Sequence, residues 1–189
     1  MHFILDCDDV LLNWLAGFRA HLGRRHGIVP VAGPSSWDMA PWLGTSTERT
    51  LELIEEFNSS EEFGQLGPVD GAFAAVRHLH DRGNRLTVIT SCADDPAIIA
   101  RRHENLRRVF GSSIDRVICV ALGQSKRSWL DVLRPGIWIE DNYDNAIQGY
   151  EAGNKTFVMR RTHNRAQEMS SNPHLIWADD WQSIISHFS

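Results

Sequence analysis

At 189 residues the chain has the length of one domain carrying a modest insertion. Its composition, 42% hydrophobic and 23% charged, is that of a soluble globular protein, and no apolar run approaches the ~20 residues that span a bilayer. A net charge of −5 gives no electrostatic case for binding long nucleic acid, though a local site for a small anion remains open.

The opening MHFIL lacks the basic and apolar regions of a signal peptide. Its HFIL run (2–5) is strand-like and delivers Asp6, Asp8 and Asp9 to one point. An amphipathic helix is expected over about 10–26, then a loop containing SSWDMAPWLG, then a helix over about 47–57 with Thr47 as its cap. No convincing strand interrupts residues 12–66, which read as a small helical cap inserted after the first strand.

From there strands and helices alternate. PVDGAFAAVRHLHDRG closes at Gly83 and leads into the strand RLTVIT (85–90). The next helix opens on Asp95 and Pro96 and stops at Gly111, before the strand DRVICV (115–120). SKRSWLDVL, capped by Ser125, precedes GIWIE (136–140), and a helix capped by Asn142 and closed by Gly153 precedes KTFVM (155–159). HLIWA (174–178) and the amphipathic DDWQSIISHF end the chain. This alternation predicts an α/β fold, a Rossmann-like parallel sheet with helices on both faces, in which 1–11 and 67–189 form the core.

Ligands of such sheets collect beyond the carboxyl ends of the strands. The first strand offers Asp6 and Asp8, which share a face in an extended chain. RLTVIT ends in Thr90 and Ser91, Lys126 follows the third strand in the first turn of a helix, and GIWIE ends in Glu140 and Asp141. Several carboxylates in one cleft repel each other unless a cation offsets them, and Mg2+ is the hard, oxygen-seeking ion suited to that task. Hydroxyls and a lysine suit phosphate oxygens, and an ionised aspartate can attack phosphorus while a second carboxyl handles the proton.

FILDCDDV, LTVITS, Lys126 and IWIEDN together resemble the four ordered motifs of the haloacid dehalogenase-like (HAD) hydrolases, spanning about 6–160. The resemblance implies Asp6 as nucleophile, Asp8 as general acid and then base, and phosphate held by Thr90, Ser91 and Lys126. It implies Mg2+ bound by Asp6, the Asp8 carbonyl and Asp141, with Glu140 either a ligand or a neighbour of one. Members that cleave carbon–halogen bonds lack the second aspartate, so Asp8 favours phosphoryl transfer. A narrower resemblance, through SSWDM, FGQLGPVDGAFAAVRHL and RRTHN (160–164), is to the 5′(3′)-deoxyribonucleotidase branch, which often has Gly at the position of Asp9 and Asp-Asp at 140–141.

These signals have blander counterparts. Asp9 reads as a helix-capping residue. Trp14, Trp37 and Trp42 are either a platform for stacking a nucleobase or the core of the cap itself. RRHENLRR (101–108) reads as a solvated face, and none of the nine histidines has a metal-binding spacing. Cys7, Cys92 and Cys119 are too few and scattered for a disulfide framework, which suggests a reducing, cytoplasmic setting. The expected function is a Mg2+-dependent phosphomonoesterase working through an aspartyl-phosphate, on nucleoside or deoxynucleoside monophosphates. The alternatives are a phosphatase or mutase acting on another small ester such as a sugar phosphate, and a binding protein without turnover.

Overall fold

The computed structural model describes residues 1–169 and 172–188. Six strands, β1 (His2–Leu5), β2 (Arg85–Ser91), β3 (Arg116–Val120), β4 (Ile137–Glu140), β5 (Lys155–Met159) and β6 (Ile176–Ala178), form one sheet in the order β3-β2-β1-β4-β5-β6. Every pairing is parallel. Parallel strands must be joined by crossovers, and here helices supply them. They are α4 (Ala72–Asp81), α5 (Pro96–Phe110), α6 (Arg127–Leu133), α7 (Tyr143–Glu151) and the short α8 (Arg165–Glu168), while α9 (Trp181–Ser186) follows the last strand. The expected Rossmann-like architecture is the observed one.

Period-two alternation splits the strand residues between the two faces. Phe3, Leu5, Val88, Ile139 and Phe157 join an apolar cluster with α4, α5 and α9, whereas Ile4, Ile89, Ile118 and Trp138 pack with Leu130 of α6. Helix α7 approaches the sheet closely because Gly149 has no side chain. A Cβ there would stand 2.1 Å from the Trp138 ring. At the other end of α7, Asp141 and Asn142 stand at the sheet's carboxyl edge because they directly follow β4, Asn142 capping the helix.

Residues 12–66 contain α1 (Trp14–His26), α2 (Ala40–Leu43), α3 (Thr47–Ser59) and a single 3-10 turn at Glu62–Gln65. Their interior is continuous with the main core: Trp14, Phe18, Leu53, Phe57 and Phe63 belong to the same apolar cluster as Phe3 and Leu5. Two boundaries differ from expectation. Helix α1 starts at Trp14 rather than near residue 10, because Leu11 and Leu12 both donate to the Cys7 carbonyl and the chain turns at Asp9. The cap of α3 is Ser46 rather than Thr47, its side chain accepting from the Arg49 N–H. Among the described residues no helix is long and apolar enough to cross a membrane.

Phe57 is fully buried, with the rings of Trp14, Phe18, His21 and Phe63 around it. Truncation there leaves a cavity that neighbouring helices cannot collapse into. Phe57→Ala is expected to lower unfolding free energy by about 3–5 kcal/mol, read from the urea midpoint.

Candidate active site

The carboxyl ends of β1, β2 and β4 lie side by side, and each carries a polar residue immediately beyond its apolar run. Asp6 follows β1, its N–H bonding the Ile139 carbonyl of β4. Lys126 precedes α6 by one residue, so it stands before the helix rather than in its first turn. Its ammonium bridges Asp6 Oδ1 at 2.5 Å and Glu140 Oε2 at 2.9 Å, and all three residues are buried. Burial works against the lysine's charge, but Asp6 and Glu140 hold its pKa above the ordinary value. Burial, reinforced by the charge of Glu140, pushes Asp6 up to about 7 despite Lys126.

Glu140 is fully engaged. One oxygen takes the lysine; the other accepts the N–H groups of Asp141 and Asn142, each at 3.0 Å. It therefore fixes both Lys126 and the entry to α7. Asp141 keeps one carboxylate oxygen, Oδ1, buried without a partner, while Oδ2 lies 3.2 Å from His163 Nε2. Thr90 Oγ1, fully buried at the end of β2, likewise has no partner.

Ser91 departs from expectation. Its hydroxyl donates to the Ala121 carbonyl at 2.9 Å, closing the loop after β3 instead of facing an anion. Asp9 does cap a helix, its carboxylate accepting the Leu15 N–H at 3.1 and 3.2 Å. It adopts φ 55°, a left-handed conformation that aspartate tolerates better than most residues and that favours glycine. Arg161 secures this turn, donating to the Asp9 carbonyl at 2.8 and 2.6 Å.

Asp8 has a partner that sequence reading missed. Arg102, from the run expected to be a solvated face, is completely buried and donates to Asp8 Oδ1 at 2.7 Å. Its guanidinium lies over the Phe63 ring at 3.9 Å. Position in the helix was the available signal: Arg102 is four residues from Ile98 and from Leu106, on the buried stripe of α5. Burial raises the Asp8 pKa to about 6, with Arg102 opposing that rise.

His163 was also missed. It is buried, and Asp141 holds its pKa up against the effect of burial. Asn164 donates to the Asp141 and Met159 carbonyls at 2.7 and 2.8 Å, so the loop after β5 orients Asp141 from behind. Arg160 points away, paired with Glu168 and Asp179.

The three tryptophans part company. Trp14 is buried, stacked on Phe18 and bonded through Nε1 to Asn58, which makes it core of the helical insert. Trp42 is half-buried, its Nε1 donating to the Ala32 carbonyl. Trp37 is 54% exposed and packs edge-on against His163 at 5.2 Å, within reach of the carboxylate cluster.

Asp6, Glu140 and Asp141 each offer an oxygen within 4.8 Å of the others. Three buried carboxylates so close, two with raised pKa values and one with an orphaned oxygen, fit a divalent cation of the Mg2+ type. Removing the counter-charge on Asp8 has a separate consequence. Arg102→Met is expected to cost about 1–3 kcal/mol of stability in urea denaturation, because Asp8, whose side chain is 24% exposed, loses its charged hydrogen-bond partner; no measurable loss would mean that Asp8 is compensated elsewhere.

Neither a protein-family model nor a curated protein matches the sequence. Solved structures do match over the whole chain. One is a haloacid dehalogenase-like hydrolase from Streptococcus pneumoniae (12% identity, TM-score 0.69, covering 100% of this chain and 98% of that one). Another is the D,D-heptose 1,7-bisphosphate phosphatase of B. bronchiseptica, complexed with magnesium and phosphate (11%, 0.62, 99% and 97%). A third is the L-2-haloacid dehalogenase of Xanthobacter autotrophicus with chloropropionic acid covalently bound (12%, 0.65, 99% and 97%). At such identities the likeness is one of fold, and a fold shared by a phosphatase and a dehalogenase leaves the reaction to be argued from the site. The chain has the haloacid dehalogenase-like fold.

Proposed function

We propose that this protein is a HAD-type phosphomonoesterase in which Asp6 is the nucleophile and Asp8 the proton carrier. The observation that carries this reading is the convergence of Asp6, Lys126, the orphaned Thr90 hydroxyl and the orphaned Asp141 oxygen on one rim, with Asp8 held beside them by Arg102. Lys126 balances the charge of Asp6 and of an incoming phosphoryl group, and Thr90 donates its hydroxyl proton to a phosphate oxygen. Mg2+ held by Asp6, Asp141 and the Asp8 carbonyl supplies, when bound, neutralisation of phosphate charge.

The Asp6 carboxylate attacks phosphorus in line as the bond to the leaving oxygen breaks, and Asp8 gives that oxygen a proton. The phosphoryl group then sits on Asp6 as an acyl phosphate. Asp8, now anionic, takes a proton from the water that attacks phosphorus. Orthophosphate departs, and both aspartates return to their starting states. Arg102 is a positioning residue: it fixes Asp8 without touching the reacting atoms.

For the substrate, the sugar-phosphate reading has better support than the nucleotide one. The heptose bisphosphate phosphatase shares the fold over the whole chain. A nucleobase platform drawn from three tryptophans is reduced to Trp37, since Trp14 lies in the core and Trp42 is tied to the loop. Cys7, Cys92 and Cys119 are free thiols, consistent with a cytoplasmic setting.

Asp6→Asn is expected to lower kcat for Mg2+-dependent hydrolysis by at least about a thousandfold; wild-type turnover in that variant would exclude the covalent route. Across a panel of phosphate esters, kcat/KM is expected to be highest for a sugar phosphate. A nucleotide at the top of the ranking would reinstate the deoxyribonucleotidase resemblance. Trp37→Ala is expected to raise KM about 2–10-fold with kcat nearly unchanged, the signature of a ring that contacts the leaving group.

A further inference from the structure

A second constellation of donors lies where α1 packs across α3, away from the phosphate site. His21 is 1% exposed, and its Nδ1 stands 3.0 Å from Glu62 Oε2. Glu62 also accepts from Arg24 at 3.2 Å, and its carboxyl is held down to about 2, chiefly by the His21 hydrogen bond. That carboxylate accepts from Nδ1, which leaves Nε2 as the ring's outward-facing atom.

Nε2 is buried with no hydrogen-bond partner, yet it faces Glu56 Oε1 at 3.4 Å. Positive charge between the ring nitrogen and the half-exposed carboxylate, a proton or a metal ion, would satisfy both. His26 reaches Glu56 from the end of α1, its Nε2 lying 3.1 Å from both carboxylate oxygens. One donor atom from each of His21, His26 and Glu56 lies within 4.8 Å of the other two. In a tetrahedral zinc site with bonds of about 2.0–2.1 Å, neighbouring donors are ~3.3 Å apart. Two of the three edges, at 3.1 and 3.4 Å, are close to that value, and the His21–His26 edge lies within 4.8 Å.

We propose that His21, His26 and Glu56 bind one dication of the Zn2+ type, with water in the fourth position, clamping α1 to α3. Two imidazoles and one carboxylate favour a borderline transition metal over Mg2+, which takes oxygen donors. Glu62 is the outer carboxylate that fixes the His21 tautomer, the usual support for a histidine ligand. The spacing of five residues puts the two histidines on different faces of a regular helix, which hid the pair from sequence reading. They converge because His26 is the last residue of α1 and Glu56 rises from α3 to meet both rings. The chain turns left-handed at Gly27 immediately afterwards, so the ion would anchor the root of the loop that carries Trp37. Its role is structural, since the donors come from α1 and α3 and include none of the residues at the sheet's carboxyl edge.

The test uses chelator-stripped full-length protein titrated with Co2+ as a spectroscopic probe, with excess Mg2+ present. One equivalent of Co2+ is expected to bind with the intense visible absorption of a tetrahedral ion, and Zn2+ is expected to displace it and raise Tm. His26→Ala and Glu56→Gln, at side chains 21% and 44% exposed, are expected to abolish both effects while the fold persists by circular dichroism. Asp141→Asn, which alters the phosphate-site carboxylates, is expected to retain them. Glu62→Gln is expected to weaken Co2+ binding about 10–100-fold. The proposal is overturned if the wild-type protein takes up no Co2+ alongside Mg2+. It is equally overturned if the spectrum survives His26→Ala and Glu56→Gln but disappears in Asp141→Asn.

Discussion

Much of the structure depends on one buried ammonium. Lys126 sits between Asp6 at the end of β1 and Glu140 at the end of β4, and it is the cation that lets two neighbouring central strands both terminate in a carboxylate. Without it, two buried negative charges would face each other at the sheet edge, at a desolvation cost of several kcal/mol for each ion. With it, Glu140 is free to turn its second oxygen to the backbone of Asp141 and Asn142 and so set the start of α7. The same device recurs two residues further along, where Arg102 of α5 answers Asp8, and again behind the cluster, where His163 faces Asp141. Three connections thus supply the partners: the one after β3 serves Asp6 and Glu140 together, the one after β2 serves Asp8, and the one after β5 serves Asp141.

The partners are matched unequally, and that inequality bears on the chemistry. Glu140 has both oxygens committed, Asp141 retains one uncommitted oxygen, and the Thr90 hydroxyl beside them has no partner. Charge thus remains in excess at the point where a divalent ion and a phosphoryl group would balance each other. The helical insert reaches this rim from two sides. Asn58 of α3 donates to the Cys92 carbonyl after β2, and the loop carrying Trp37 lies against His163 after β5. At Gly33 a Cβ would stand 2.4 Å from Thr162 Oγ1, so loop and rim pack without room for a side chain. What the insert presents to a leaving group is therefore tied to the same residues that orient Asp141.

The sheet was legible because its strands are short apolar runs with punctuation on both sides, and each of the six lies within two residues of where the pattern put it. The acidic rim was legible for the same reason, since a strand's end fixes where its next residue goes. What stayed hidden depended on tertiary burial. Arg102 belongs to a run of charges that composition assigns to solvent, and only its register on the buried stripe of α5 marks it otherwise. The bond from Ser91 to a loop carbonyl was not legible, because a hydroxyl at a strand end serves a neighbouring carbonyl as readily as a ligand. The fates of Trp14, Trp37 and Trp42 turn on how α1 and its following loop pack, which residue spacing does not encode.

The central claim is that phosphorus becomes bonded to Asp6 during turnover. Acid quenching of the wild-type protein during incubation with the phosphate ester that it turns over best, with peptide mapping by mass spectrometry, tests it directly. The expected result is an acyl phosphate on the peptide containing Asp6, formed at the turnover rate and discharged by water. Turnover without any phosphorylated peptide, or with the label on another residue, would contradict the account.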